Sequence, residues 1–166
     1  MNVTFDVKLQ PVDLYRFNIY QTYRGAQGWI SIILGILSFV NAVATWGRTE
    51  LPYTIMYIVV GLMFWFYMPV TLWFRSKATI RTNAVLSGEL HYEVSDSGFH
   101  VTQGEEQGDL PWDAIYKAVS SKHNILIYTT RINAYIIPIE QLGDKYDAFA
   151  ELARKNLESY RVRIKK

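Results

Sequence analysis

Three histidines, His91, His100 and His123, and one acidic group, Glu105, Glu106 and Asp109, are the side chains that could do chemistry in this chain. A metal centre needs several such ligands converging on one point at bonding distance. A turn at Ser97-Gly98 and a register pairing Val94 with Val101 put His91 and His100 on one face of a hairpin. In that register they lie several residues apart, more than about 10 Å at about 3.4 Å per residue, too far to share an ion. His123 falls in a separate turn. The acids sit in a Gly-flanked loop, Gly104 to Gly108, that lacks the ligand spacing of a calcium loop and reads as a solvated hairpin tip. There is no cysteine, which excludes disulfides, thiolate nucleophiles and Cys-based metal centres. No nucleophile elbow or phosphate-binding glycine loop is present. The expectation is a protein that is not an enzyme, with no catalytic residue, no cofactor and no metal.

The elements around these residues divide the chain sharply. Residues 25–47 and 51–74 carry no charge, and only Arg48, Thr49 and Glu50 separate them. A bilayer-crossing helix needs about 20 mostly apolar residues, so each stretch is long enough. Ala42-Val43-Ala44 resembles a signal-peptidase site. The region before it is unusually long and carries Asp6 and Asp13, and a second span follows, so cleavage is not expected. In the first span Ser31, Gly35, Ser38, Ala42 and Thr45 form a small-residue stripe for close helix packing, with Gly61 its counterpart in the second. Trp29 and Trp73 mark one interface, Trp46 and Tyr53 the other. Asn41, the one amide well inside a span, reads as a hydrogen-bonded packing residue, and the spans lack the ionisable groups of a transport path.

Val3, Phe5, Val7 and Leu9 alternate with polar residues, the period of a half-buried strand. This strand, residues 1–10, needs a sheet to join. Residues 11–24 read as a juxtamembrane helix with Pro11 at its first position and Asp13 in its first turn. Residues 82–160 hold the other strands: one through Leu90, Tyr92 and Val94, its partner through Phe99 and Val101, a hairpin of Ile115–Val119 with Ile125–Tyr128, and Ala134–Ile137. A final helix with Asp144 as N-cap buries Tyr146, Phe149, Ala150, Ala153, Leu157 and Tyr160 on one face. Trp112 reads as a core anchor. Residues 161–166 are a basic tail.

The formal net charge is only +2 but unevenly placed: residues 1–87 hold seven Lys/Arg against three Asp/Glu, and residues 88–166 hold ten against twelve. The basic residues gather where the spans would leave the bilayer: Arg16, Arg24, Arg75, Lys77 and Arg81. Cytoplasmic flanks collect Lys and Arg, so the expected placement is a multi-pass cell-membrane protein with two spans and both termini cytoplasmic. The same five residues are candidate contacts for anionic lipid headgroups. The slightly acidic C-terminal half argues against nucleic acid.

Four stretches, Arg75-Ser-Lys-Ala-Thr-Ile-Arg81, Tyr92-Glu-Val94 with Ser97-Gly98-Phe99, Leu110-Pro-Trp-Asp-Ala-Ile115 and Asn133-Ala-Tyr-Ile-Ile-Pro138, give the chain its family likeness. It resembles the YcxB-like family of small bacterial membrane proteins over nearly its whole length. The resemblance implies a cytoplasmic PH-like domain of seven strands and a C-terminal helix, and carries no catalytic residues with it. The expected fold class is therefore α+β: a two-helix transmembrane hairpin plus a small antiparallel PH-like sheet or barrel with a C-terminal capping helix. The expected role is a membrane-tethered binding or scaffolding module for a protein partner or anionic headgroups. The alternatives are an accessory subunit of a larger membrane transport or envelope complex, motivated by the small-residue stripe, and, less favoured, an enzyme acting on lipid or peptide.

Overall fold

The structure, a computed structural model, describes residues 2–164. The N-terminal alternation forms β1 (Val3–Lys8), with Val3, Phe5 and Val7 buried and the residues between them exposed. A helix α1 (Pro11–Arg24) follows, then two long helices, α2 (Ala26–Ala44) and α3 (Leu51–Thr82), a short α4 (Ala84–Ser87), and the strands β2 (Glu89–Ser95), β3 (Gly98–Gln103) and β4 (Glu106–Pro111). After a 3-10 turn come β5 (Lys117–Ser120), β6 (Asn124–Tyr128) and β7 (Ala134–Pro138), two further helices α5 (Ile139–Leu142) and α6 (Tyr146–Asn156), and a two-residue strand β8 (Val162–Arg163). The class is α+β.

The strands make two four-stranded sheets, ordered β1-β2-β3-β4 and β7-β6-β5-β8. All pairings are antiparallel except β5 with β8. β1 lies against β2, so strands on either side of the helical pair share one sheet. The inner faces of both sheets and α6 enclose one core. Phe149 of α6 meets Phe5 and Phe99 edge-on, with ring centroids 5.9 Å away in each case. Trp112 is buried among them, and its indole N–H donates to the Ser95 carbonyl at 2.9 Å, which meets the one polar need of a buried tryptophan.

α2 and α3 are long and apolar enough to cross a membrane. At about 1.5 Å per residue they measure about 28 and 48 Å. α3 thus runs on past the uncharged stretch that ends at Phe74, through Pro69 without a break, and carries Arg75, Lys77 and Arg81 on its last turns. The small-residue stripe of α2 faces α3: Gly35 and Ala42 are buried, and Ser31, Ser38 and Thr45 half-buried. A Cβ on Gly35 would clash with the Nε1–Cδ1 edge of the Trp65 indole, and one on Gly61 would touch Phe39 at 3.0 Å. Phe39 and Trp65 lie 5.0 Å apart, so each glycine receives an aromatic ring from the opposite helix. Asn41 satisfies itself locally, its amide donating to the Leu37 carbonyl at 2.8 Å.

Four sequence expectations need correction. The β2–β3 register pairs Val94 with Phe99 and Tyr92 with Val101 rather than Val94 with Val101. The loop is Asp96-Ser97, and Gly98 belongs to the strand, at φ +144°, where an added Cβ would strike the Leu110 carbonyl and Pro111. A shift of two residues keeps every side chain on its expected face. Asp144 does not cap α6: residues Gly143–Lys145 form a 3-10 turn, and the helix starts at Tyr146. Tyr160 lies beyond the helix and is exposed. The last residues are not a free basic tail either, because Val162 and Arg163 pair with β5 and Ile164 is buried. Lys165 and Lys166 lie outside the described residues.

Gly35→Leu should destabilise the α2–α3 pair by roughly 1–3 kcal/mol, the usual range for overpacking a tight contact. Val43→Leu, on the exposed face of α2, should change stability by less than about 0.5 kcal/mol. Thermal unfolding of the two variants in detergent measures both.

Candidate functional site

The corrected register brings the histidines closer than the sequence suggests. His91 stands opposite Thr102 and His100 opposite Glu93, so the two are diagonal neighbours on the outer face of the first sheet, about 7–8 Å apart. Each is held by a carboxylate on its other side. The Asp6 carboxylate lies 2.5 Å from His91 Nδ1, and the Asp109 carboxylate 2.6 Å from His100 Nδ1. Asp109 is therefore a strand residue, as is Glu106, and the three acids do not share one loop. Among the described residues no group of three or more His, Asp or Glu is placed to hold a metal ion. The Asp6 hydrogen bond raises the His91 pKa, with Glu93 adding to it.

A second cluster was not visible as one in the sequence. α1 crosses the outer face of the second sheet. Asn124 donates to the Asp13 carbonyl at 3.3 Å, Phe17 packs on Tyr128 with centroids 6.3 Å apart, and the Tyr128 hydroxyl donates to Gln21 at 3.1 Å. Where α1 ends, the sheet continues to β5 and β8, and a cavity of about 350 Å³ opens between them. Arg24 closes one side. Lys117 and Val119 of β5 form the floor, on the same sheet face as Tyr128 and Leu126, and Arg163 of β8 lies alongside. Tyr116, Tyr160 and Arg161 complete the rim.

Four cations thus surround one hollow. Arg161 lies 3.6 Å from Glu158, and its Nε donates to the Tyr160 hydroxyl at 3.2 Å. Arg24 donates to the Tyr20 hydroxyl at 2.6 Å and stands at the C-terminal end of α1, where the helix dipole favours a cation. The Lys117 ammonium lies over the Tyr128 ring at 4.3 Å. Burial first, then the charges of Arg24 and Arg163, push the Lys117 pKa below its usual value. A lysine whose neighbours disfavour its own charge is a place where an anion would be stabilised.

Of the five basic residues singled out in the sequence, only Arg24 lines this cavity. Arg16 lies 3.7 Å from Asp13, whose carboxyl is buried, a burial that raises its pKa. Arg75, Lys77 and Arg81 are exposed on α3.

Comparison with known proteins bears on the sheet domain. Residues 94–153 match the family described as YcxB-like protein. This segment is similar to that family. It runs from the end of β2 to the middle of α6 and holds three of the family stretches named above: Ser97-Gly98-Phe99, Leu110–Ile115 and Asn133–Pro138. It does not reach the two long helices or Arg75–Arg81, so the likeness is narrower than the whole chain. No curated protein and no solved structure matches the chain. The YcxB-like segment supplies Tyr116, Lys117 and Val119 to the cavity, while Arg24, Tyr160, Arg161 and Arg163 come from outside it.

The His91–Asp6 pair makes a pH prediction. Its folded pKa lies above the unfolded value of about 6.5. Its stabilisation is therefore complete below about pH 6.5 and is lost as the pH rises through the raised folded value. Both partners are well exposed, so the contribution is at most about 1 kcal/mol. The stability gap between the wild type and His91→Gln should be widest near pH 6 and close at alkaline pH. Thermal melts across that range would disprove this if the gap widened with pH.

Proposed function

We propose that α2 and α3 cross a cell membrane as a hairpin, with both termini on the cytoplasmic side. We further propose that the sheet domain is a PH-like, non-catalytic module that binds anionic lipid headgroups there. Supporting the membrane reading, the outward faces of both helices are crowded with exposed large apolar side chains, among them Ile33, Val40, Met63, Phe66 and Val70, a continuous surface that water does not tolerate. β1 precedes the hairpin and β2 follows it, yet they pair, so both ends of the hairpin lie on one side. The excess of Lys and Arg at those ends favours the cytoplasmic side.

The observation that carries the headgroup reading is the placement of cations at that boundary. Arg24 ends α1 just before the first span begins, and Arg75, Lys77 and Arg81 stand on the turns of α3 that extend past its uncharged stretch. Near an anionic surface each basic residue adds roughly 1 kcal/mol of attraction. α1 packs between the second sheet and α3 and so holds the domain against this boundary. The small-residue stripe, which would have favoured a subunit of a larger complex, is taken up by α3 within the hairpin.

Single cysteines at Thr49 and Ser121, in a chain with none of its own, test the topology. A membrane-impermeant maleimide should label position 49 in intact cells and position 121 only after lysis; the reverse pattern disproves the placement. The protein extracted together with its surrounding lipid should be enriched in anionic lipid over the bulk membrane. Joint replacement of Arg75, Lys77 and Arg81 by Gln should reduce that enrichment, and no enrichment in the wild type would refute the headgroup reading.

A further inference from the structure

We infer that the cavity between the end of α1 and the β5–β8 edge is a binding site for a phosphate group, held by Lys117, Arg24, Arg161 and Arg163. The inference builds on the headgroup reading and gives it a specific pocket and ligand group. Four cations line the hollow, and among the described residues the acids that act on them, Glu158 at 3.6 Å and Asp113, both act on Arg161. The like charges of Arg24 and Arg163 act on Lys117, which sits on the floor of the site. A group carrying two negative charges on several oxygens relieves this repulsion and accepts hydrogen bonds from guanidinium forks and an ammonium at once. A carboxylate offers less charge and fewer acceptors.

Position and shape agree with this. The cavity is at the small end of the range for small-molecule sites, so it suits a phosphate with a short substituent. Tyr116 and Tyr160 at the rim offer an aromatic wall for that substituent. Arg24 is two residues before α2 begins, which places the mouth at the depth of lipid phosphates if α2 spans the bilayer. The shared chemistry is a phosphate monoester, and its source is either a lipid such as phosphatidate or a soluble phosphate.

The test uses the full chain in phosphatidylcholine nanodiscs. One arm titrates inorganic phosphate and follows thermal stability; the other adds phosphatidate to the nanodiscs. Saturable stabilisation by inorganic phosphate assigns a soluble source. Stabilisation by phosphatidate alone assigns a lipid source. In either case Lys117→Gln and, separately, Arg163→Gln should weaken the response at least about tenfold, the loss expected for one charge-assisted hydrogen bond. Arg163 is exposed on a two-residue strand, so its variant keeps the fold even if the Lys117 variant does not. No saturable response in either arm, or an unchanged response in a folded Arg163→Gln protein, overturns the site. Anionic-lipid enrichment that survives both pocket variants but is lost with Arg75, Lys77 and Arg81 overturns the site and leaves the headgroup reading standing. Phosphate binding in the pocket without lipid enrichment does the opposite.

Discussion

The rest of the molecule depends on how α1 is gripped from both sides. On one side its Asp13, Phe17 and Gln21 meet Asn124 and Tyr128 of the second sheet. On the other, Asn18 donates to the hydroxyl of Ser76 on α3 at 3.0 Å, and Tyr15 meets Trp73 edge-on with centroids 5.4 Å apart. Ser76 is fully buried. An unpaired amide or hydroxyl in such a seam costs about 1–3 kcal/mol, so the pair fixes the register of α1 on α3 as well as joining them. β6 shows the consequence on the sheet side: all five of its residues are buried, because Ile125 and Ile127 face the core while Asn124, Leu126 and Tyr128 face α1. A continuous hydrophobic strand covered on both faces is what this packing requires.

This grip explains why α3 is so much longer than α2. A helix ending with the uncharged stretch at Phe74 would offer α1 neither Ser76 nor Ile80 to pack on. α3 instead continues past Phe74, burying Ser76 and Ile80 toward the protein while Arg75, Lys77 and Arg81 stay exposed. One stretch of sequence thus serves two needs with its two faces. The hairpin is tightened by a different device, an exchange of aromatic rings into the space left by Gly35 and Gly61.

Much of this was legible from residue pattern. β1, α1, the two apolar stretches, the inward residues of β2 and β3, and Trp112 as an anchor follow from period and composition. What escaped was what period does not encode. The hairpin register was set two residues off because Gly98 looks like a turn residue. Its positive φ is instead needed inside the strand, where the Leu110 carbonyl passes too close for a side chain. That slip kept every face but doubled the apparent separation of His91 and His100. β8 has only two residues and no alternation, and it pairs in parallel with a strand over 40 positions earlier, so nothing local announces it. The cationic cavity escaped for the same reason: its charges come from residues 24, 117, 161 and 163, and only folding collects them.

The cavity also shows what the α1 grip requires of its neighbours. Arg24 is favourable to α1 itself, as a cation at a helix C-terminus bonded to Tyr20. Because α1 is fixed on the second sheet, that same residue is carried to the edge where Lys117 and Arg163 already stand. The fold therefore accepts a local repulsion, which adds to burial in lowering the Lys117 pKa. The aromatic faces of Tyr128 and Tyr116 offset part of it, lying 4.3 and 5.5 Å from the ammonium. They supply no negative charge, so they leave the repulsion between the cations in place. A chain under no other constraint could remove that repulsion with one acidic substitution at Val119, which lines the same hollow. Keeping an apolar residue there leaves the charge of Lys117 opposed by Arg24 and Arg163 with no acid between them.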